Sequence, residues 1–262
     1  MKRIGLSQIL LGAAVVLILL FLMLPVLVII PMSFSNTRFL TFPPPSFSVR
    51  WYEAYLGSSA WMQATKVSLI VAVSASAIAT ILGVAAAYAL SNTTSTLFKL
   101  LGVLLLLPIV TPIVIIAVGV FFVYAKIGLL ATLPGLILAN VMLGIPFVIT
   151  AVLAGLQKFD KTQEMVARSL GMNRFRSFFA VTLPQIRPSV ITGALFAFIS
   201  ALDETVVAIF ISGGANQTLT KRMFVSLRDE IDPTIASISA LLTGASFLLV
   251  MLIAFNARKS ET

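Results

Sequence analysis

The sequence predicts an all-α membrane protein of about six transmembrane helices. Three observations carry this expectation. Of the 262 residues, 59% are hydrophobic and only 10% are charged. Mean hydropathy is +1.08, far above what a water-exposed surface tolerates. Several apolar runs exceed the roughly 20 residues needed to cross a bilayer core.

Taken in order, the apolar runs place helices at about Ile9–Ile30, Val67–Leu90, Leu97–Tyr124, Leu133–Leu156, Ser189–Ile211 and Thr234–Asn256. The first follows Lys2-Arg3 but is too long for the apolar core of a secretion signal, and no small-residue cleavage site follows it. The whole chain, 1–262, is expected to form one transmembrane domain, with the charged loop 157–188 inside it.

Charge placement gives an orientation. With the N-terminus inside, Lys2, Arg3, Lys99, Lys158, Lys161, Arg168, Arg174, Arg176, Arg187, Arg258 and Lys259 fall in the cytoplasm, eleven of the eighteen Lys and Arg. Arg38, Arg50, Lys66, Lys126, Lys221, Arg222 and Arg228 fall outside. The bias follows the positive-inside rule, so the net charge of +9 reports topology rather than nucleic-acid binding. Both termini and the 157–188 loop are expected in the cytoplasm. There is no Cys and no His, which excludes thiol chemistry, disulfides and His-based metal or acid–base sites.

The connecting segments carry their own signals. After Pro43-Pro44-Pro45, the residues Trp51, Tyr52, Tyr55 and Trp61 read as an interfacial helix with aromatic anchors, or as part of a landing surface for a partner. Ala75, Ala79, Gly83 and Ala87 put small residues on one face of the second helix, for packing within the chain or against a second subunit. Pro108, Pro112 and Pro146 predict kinks whose freed carbonyls must face protein or a water-filled cavity. In the outer segment 212–233, Leu219, Met223, Phe224 and Leu227 form a short amphipathic stripe, suited to a surface helix or a gate. Asp232-Pro233 reads as the cap and first turn of the last helix.

Asp203 and Glu204 are the only acids inside an expected span. They lie about fifteen residues past Ser189, roughly 22 Å at the helical rise. Ionisable groups at such depth face a bundle interior or water. Side chains of adjacent helix residues diverge by about 100°, so one acid can face a pathway for a cationic or polar solute while the other bonds a neighbouring helix. A purely structural network and a proton-coupling acid are the alternatives.

The segment Gln157–Pro188 is the most specific feature. Residues Lys158–Ser169 form a helix on propensity, Gly171 stops it, Asn173 caps a second short helix, and Leu183-Pro184 turns the chain back to the membrane. Glu164, Gly171 and the Val181-Thr182-Leu183-Pro184 run resemble the EAA loop of bacterial ABC-importer permeases, which reads Glu-Ala-Ala, three residues, Gly, nine residues, Ile, any residue, Leu-Pro. Aligned on Gly171, Met165 takes the Glu position and Val166 and Ala167 the two Ala positions, with Glu164 one residue early. Phe42-Pro43-Pro44-Pro45 with Trp51-Tyr52, the Gly83–Leu90 stretch and Leu202-Asp203-Glu204-Thr205-Val206-Val207 extend the resemblance over nearly the whole chain, toward the C-type permeases of spermidine/putrescine importers.

That resemblance implies the type I ABC importer permease fold, with the coupling loop between the fourth and fifth helices, in a bacterial inner membrane. It implies that Glu164, Ala167, Arg168, Ser169, Leu170, Gly171, Met172, Asn173, Leu183 and Pro184 couple the chain to an ATPase. Asp203 and Glu204 would lie along the substrate pathway. It further implies two ATP-binding subunits carrying ATP and Mg, a second permease subunit in a heterodimer, and a periplasmic solute-binding protein. No cofactor is expected on this chain. The sequence itself holds no Walker-type phosphate loop, so the chain is expected to be a non-catalytic permease. An ion-coupled secondary transporter using Asp203 or Glu204, a membrane scaffold, and an ABC permease for opines, amino-acid-like solutes or phosphonates stand as alternatives.

Overall fold

A computed structural model describes residues 6–38, 41–229 and 232–259. Lys2 and Arg3, two of the charges used for orientation, lie outside the described residues. The chain divides into two compact units, Met1–Met62 with Val225–Thr262, and Gln63–Phe224.

In the first unit, α1 (Leu6–Ser33) is apolar around its whole circumference, with Leu11, Leu17, Phe21 and Leu22 all exposed. A helix with no polar face is stable only where its surroundings are apolar, as in lipid. Its end is fastened to α2 (Arg50–Gly57) by a 2.7 Å hydrogen bond between Ser33 Oγ and the Tyr52 hydroxyl, and by the Phe34 ring against Tyr52. Tyr55 and Trp61 are buried, so this aromatic group serves the core of its unit as well as any interface.

The second unit begins with most of α3 (Ser59–Ser91). Ala75, Ala79 and Ala87 are buried in a core with Val148, Ile149 and Val152, so the small-residue stripe packs within the chain. The chain continues through α4 (Thr96–Val110), α5 (Ile113–Ile127) and α6 (Leu133–Lys158). The Leu97–Tyr124 region is not one span. It breaks at Thr111–Pro112, where α4 and α5 meet at 108°. Proline forces the residue before it out of the helical region, and Thr111 is extended at ψ 133°. Pro146, by contrast, sits inside an uninterrupted α6.

After α6 come α7 (Lys161–Ser169), α8 (Arg174–Ser177), a π-helical turn at Phe178–Thr182, and α9 (Leu183–Asp203). Leu183-Pro184 is therefore not a turn. Pro184 follows directly on the π-helical turn, the kind of widened turn that accommodates a missing N–H inside a helical run. One helical run extends over Arg174–Asp203. It packs along α6 through close contacts at Gly155, where an added Cβ would lie 2.7 Å from the Ser189 Cβ, and at Gly193, where one would lie 3.0 Å from the Val148 Cα.

The Ser189–Ile211 region is also interrupted. Glu204 is extended at ψ 112°, and α10 (Val206–Ile211) starts anew. The segment that follows is tied down before α11 (Leu219–Asp229): Asn216 Nδ2 donates to Ala131 O at 2.8 Å, and Ser68 Oγ accepts the Leu219 N–H at 2.8 Å. Within α11, Leu219 is buried, whereas Phe224 and Leu227 are exposed. Finally, α12 (Thr234–Lys259) packs against α1 and α2 in the first unit. Asp232 Oδ1 accepts the Thr234 N–H at 2.9 Å, the expected cap.

Candidate functional site

Two regions of the second unit gather the residues singled out above. The first is the hairpin between α6 and α9. Asp160 opens α7, its Oδ1 accepting the Thr162 N–H at 2.9 Å. Hydrogen bonds from the Thr162 side chain and backbone hold the Asp160 carboxyl below its ordinary value of 3.8.

At the other end of α7, Gly171 adopts φ +95°, a conformation open to glycine and costly to L-residues. The Met172 N–H reaches Ala167 O at 3.2 Å and the Gly171 N–H reaches Arg168 O at 3.0 Å. This pair of bonds is the Schellman closure, which satisfies carbonyls a helix end leaves open. Asn173 Oδ1 then accepts the Arg176 N–H at 2.8 Å and starts α8. The hairpin geometry expected from Gly171 and Asn173 is present.

Burial sorts the hairpin residues by task. Ala167 is buried, which fixes α7 to its neighbours. Arg168, Ser169, Leu170 and Asn173 are exposed, and Met172 is half-buried. Met165, Val166, Leu170, Phe175 and Phe179 leave large apolar surface open, Leu170 at 81% of its full exposure. On a segment this polar, a cluster of exposed apolar groups marks an interaction surface. Glu164 faces the other way: its oxygens accept from the Tyr88 hydroxyl at 2.5 Å and from Thr182 Oγ1 at 2.7 Å. Leu183 and Pro184 belong to the start of α9.

The second region is a cavity of about 440 Å³ at the two helix breaks. Pro108, Thr111 and Ile113 line it from the first break, and Asp203, Glu204, Thr205 and Val206 from the second. Leu143, Phe147 and Ile199 make its remaining wall largely apolar. Non-helical backbone at membrane depth is tolerated where it borders such a cavity.

Asp203 is exposed to this space. Glu204 is 8% exposed. Its Oε1 accepts the Val207 N–H at 2.7 Å and its Oε2 the Ala208 N–H at 2.9 Å. These are donors that the start of α10 would otherwise leave unpaired. The two acids were read from sequence as residues of one helix, diverging by about 100°. They differ instead because the helix ends between their tasks.

The charge at the cavity follows by addition. The C-terminal ends of α4 and α9 each bring about half a negative charge, and the N-terminal ends of α5 and α10 about half a positive charge. These contributions roughly cancel, which leaves the carboxyl groups of Asp203 and Glu204 as the acidic groups of the lining. The hydroxyl oxygens of Thr111 and Thr205 are within the lining and keep lone pairs open, since each hydroxyl proton is donated to a backbone carbonyl. A group presenting ammonium donors on an apolar spacer fits such a lining. Among the described residues, no cluster of Asp and Glu is arranged to hold a metal ion.

Residues 79–259 match the family of binding-protein-dependent transport system inner membrane components. The chain belongs to this family. It is a permease of the inner membrane, and it is non-catalytic. Over 237 residues this permease is 32% identical to the putrescine transport system permease protein PotI of Escherichia coli K12, covering 86% of this chain and 82% of that protein. It is 26% identical to the spermidine/putrescine transport system permease protein PotC of Haemophilus influenzae, covering 92% and 93%. In fold, the permease resembles a chain of a bacterial ABC transporter that imports the acidic polysaccharide alginate, with TM-score 0.73 at 16% identity over the full length of both. A second alginate transporter structure, in complex with a pentasaccharide-bound periplasmic protein, gives TM-score 0.69 at 16% identity, covering 97% of this chain and 93% of that one. The all-α type I ABC permease fold expected from the sequence is thereby established.

Tyr88 is the residue that sequence reasoning missed. It lies near the end of an apolar helix, 76 positions before the Glu164 it touches, and no local pattern joins the two.

Proposed function

We propose that this permease forms half of the translocation pathway of an ATP-driven importer for small polyamine-like cations. The observation that carries the reading is Asp203, a carboxylate open to a largely apolar cavity at two broken helices. Amines on alkyl chains titrate near 10.4 and are charged at neutral pH. They match a carboxylate at one point and apolar walls between points. The names of the relatives, putrescine and spermidine/putrescine permeases, support the same solute class.

The rest of the assembly follows the same reading. A second permease subunit completes the pathway as a heterodimer, and a periplasmic binding protein delivers the solute. Each of the two permeases docks one ATP-binding subunit, this chain through its exposed Met165–Phe179 face, in the cytoplasm where both of its termini also lie. ATP and Mg are held by those subunits, and this chain binds no cofactor. Closure of the ATPases moves the hairpins and switches access to the pathway.

The test is uptake into vesicles reconstituted with all subunits and the binding protein, using radiolabelled putrescine and spermidine. ATP-dependent accumulation that survives a protonophore is expected. Accumulation driven by an ion gradient without ATP would overturn the reading in favour of a secondary transporter. ATP-driven transport of anionic or zwitterionic solutes only would overturn the solute class.

A further inference from the structure

Glu164 lies in the hairpin, yet neither of its oxygens is presented to the exposed apolar face. Both are used internally, by Tyr88 from the end of α3 and by the fully buried Thr182 of the π-helical turn. Around this carboxylate the other contacts converge. The Phe178 ring packs on the Tyr88 ring at 4.6 Å, between centroids. The Arg174 guanidinium lies over the same ring at 5.2 Å, and its Nε donates to the Tyr88 oxygen at 3.5 Å. One turn further on, Lys161 Nζ donates to Ser91 O at 2.5 Å.

Four segments therefore meet at one side-chain pair: the end of α3, α7, α8 and the π-helical turn that leads into α9. A charge-assisted hydrogen bond is about twice as strong as a neutral one. This bond is thus stronger than the neutral Asn173 cap and of the same kind as the Asp160 cap, and unlike either it joins segments distant in the chain.

We propose that Tyr88 is a positioning residue for energy coupling. Through Glu164 it clasps the hairpin to both α3 and the π-helical turn, so that a push on the exposed face moves α9 instead of bending the hairpin. The inference rests on the coupling role given to the hairpin above. It assigns Glu164 to transmission inside the chain, not to contact with the ATPase.

The test uses the complete reconstituted complex with its ATPases and binding protein, and reads putrescine transported per ATP hydrolysed. Tyr88→Phe removes one hydroxyl and leaves both ring contacts, so assembly should persist. The ratio is expected to fall about threefold to tenfold, the range for one lost hydrogen bond, while stimulated ATPase activity continues. Glu164→Gln keeps an acceptor for Tyr88 and should retain most of the ratio, whereas Glu164→Ala should lose it. Adding Tyr88→Phe to Glu164→Ala should then cost nothing more. A wild-type ratio in both Tyr88→Phe and Glu164→Ala would overturn the clasp. So would a fall in assembly or thermal stability with the ratio unchanged, which is the signature of a merely structural contact. Failure of the unmutated complex to couple ATP to uptake is a separate result, and it removes the importer reading itself.

Discussion

Asp203 and Glu204 are adjacent in the chain and have opposite surroundings: Asp203 opens to the cavity, while Glu204 is buried against the first turn of α10 with both oxygens occupied. The two should separate cleanly by mutation. Asp203→Asn is expected to lower uptake of diamines and triamines at least several-fold, with little change in thermal stability in detergent. Glu204→Gln leaves one of two buried N–H groups facing an amide donor and should cost about 1–3 kcal/mol, visible as a lower unfolding temperature. Equal stability losses in the two variants would refute this division.

Gly171 sets the second prediction. Alanine at φ +95° carries a left-handed strain of about 1–2 kcal/mol, and proline removes the N–H that reaches Arg168 O as well. Gly171→Ala should weaken hairpin protection in hydrogen exchange, and Gly171→Pro should abolish ATP-driven uptake without loss of membrane insertion. Full uptake with Gly171→Pro would show that this closure is dispensable.

A third expectation concerns acid. The Asp160 carboxyl titrates below 3.8 when it caps α7. The cap is thus fully present above that ordinary value and is lost as pH falls through the lower folded-state value. The protection of the Thr162 amide relative to its intrinsic exchange rate, followed from pH 5 to about pH 2, should fall in that window. Asn caps without titrating, so Asp160→Asn should remove the pH dependence while α7 persists; an unchanged pH profile in that variant would exclude Asp160 as its source.

Packing supplies the fourth. A Cβ at Gly83 would lie 2.6 Å from the Val148 Cβ, inside contact distance. Gly83→Val should destabilise the second unit by about 1–3 kcal/mol through overpacking. A paired Val148→Gly, which removes that Cβ, should restore part of the loss, and no recovery would mean that the strain is relieved elsewhere.

Much of this was legible in the sequence because it is local. Apolar runs mark helices, and Gly171, Asn173 and Asp232 act on atoms within a few residues, so their caps could be read directly. The break at Thr111–Pro112 was visible as a proline, but its size was not: a kink and a 108° bend begin with the same missing N–H. The interruption at Glu204 left no such mark, since Leu202–Ile211 contains no proline or glycine. There the chain breaks where a carboxylate captures the next helix's N–H groups, a side-chain event that hydropathy does not register. Leu183-Pro184 misled for the converse reason, because a π-helical turn just before it lets the proline sit inside a continuous helical run.

The continuous run from Arg174 to Asp203 has a mechanical meaning that follows from its backbone-close contact with α6 at Gly193. Gly193 divides it unequally, with roughly 28 Å of helix on the hairpin side and roughly 15 Å on the cavity side at the helical rise. If this point serves as a fulcrum, the helix is a reducing lever. A displacement of about 4 Å at the hairpin then becomes about 2 Å at Asp203, delivered with roughly doubled force. Such a gear ratio trades travel for thrust, the sense required to pull a carboxylate away from a bound cation.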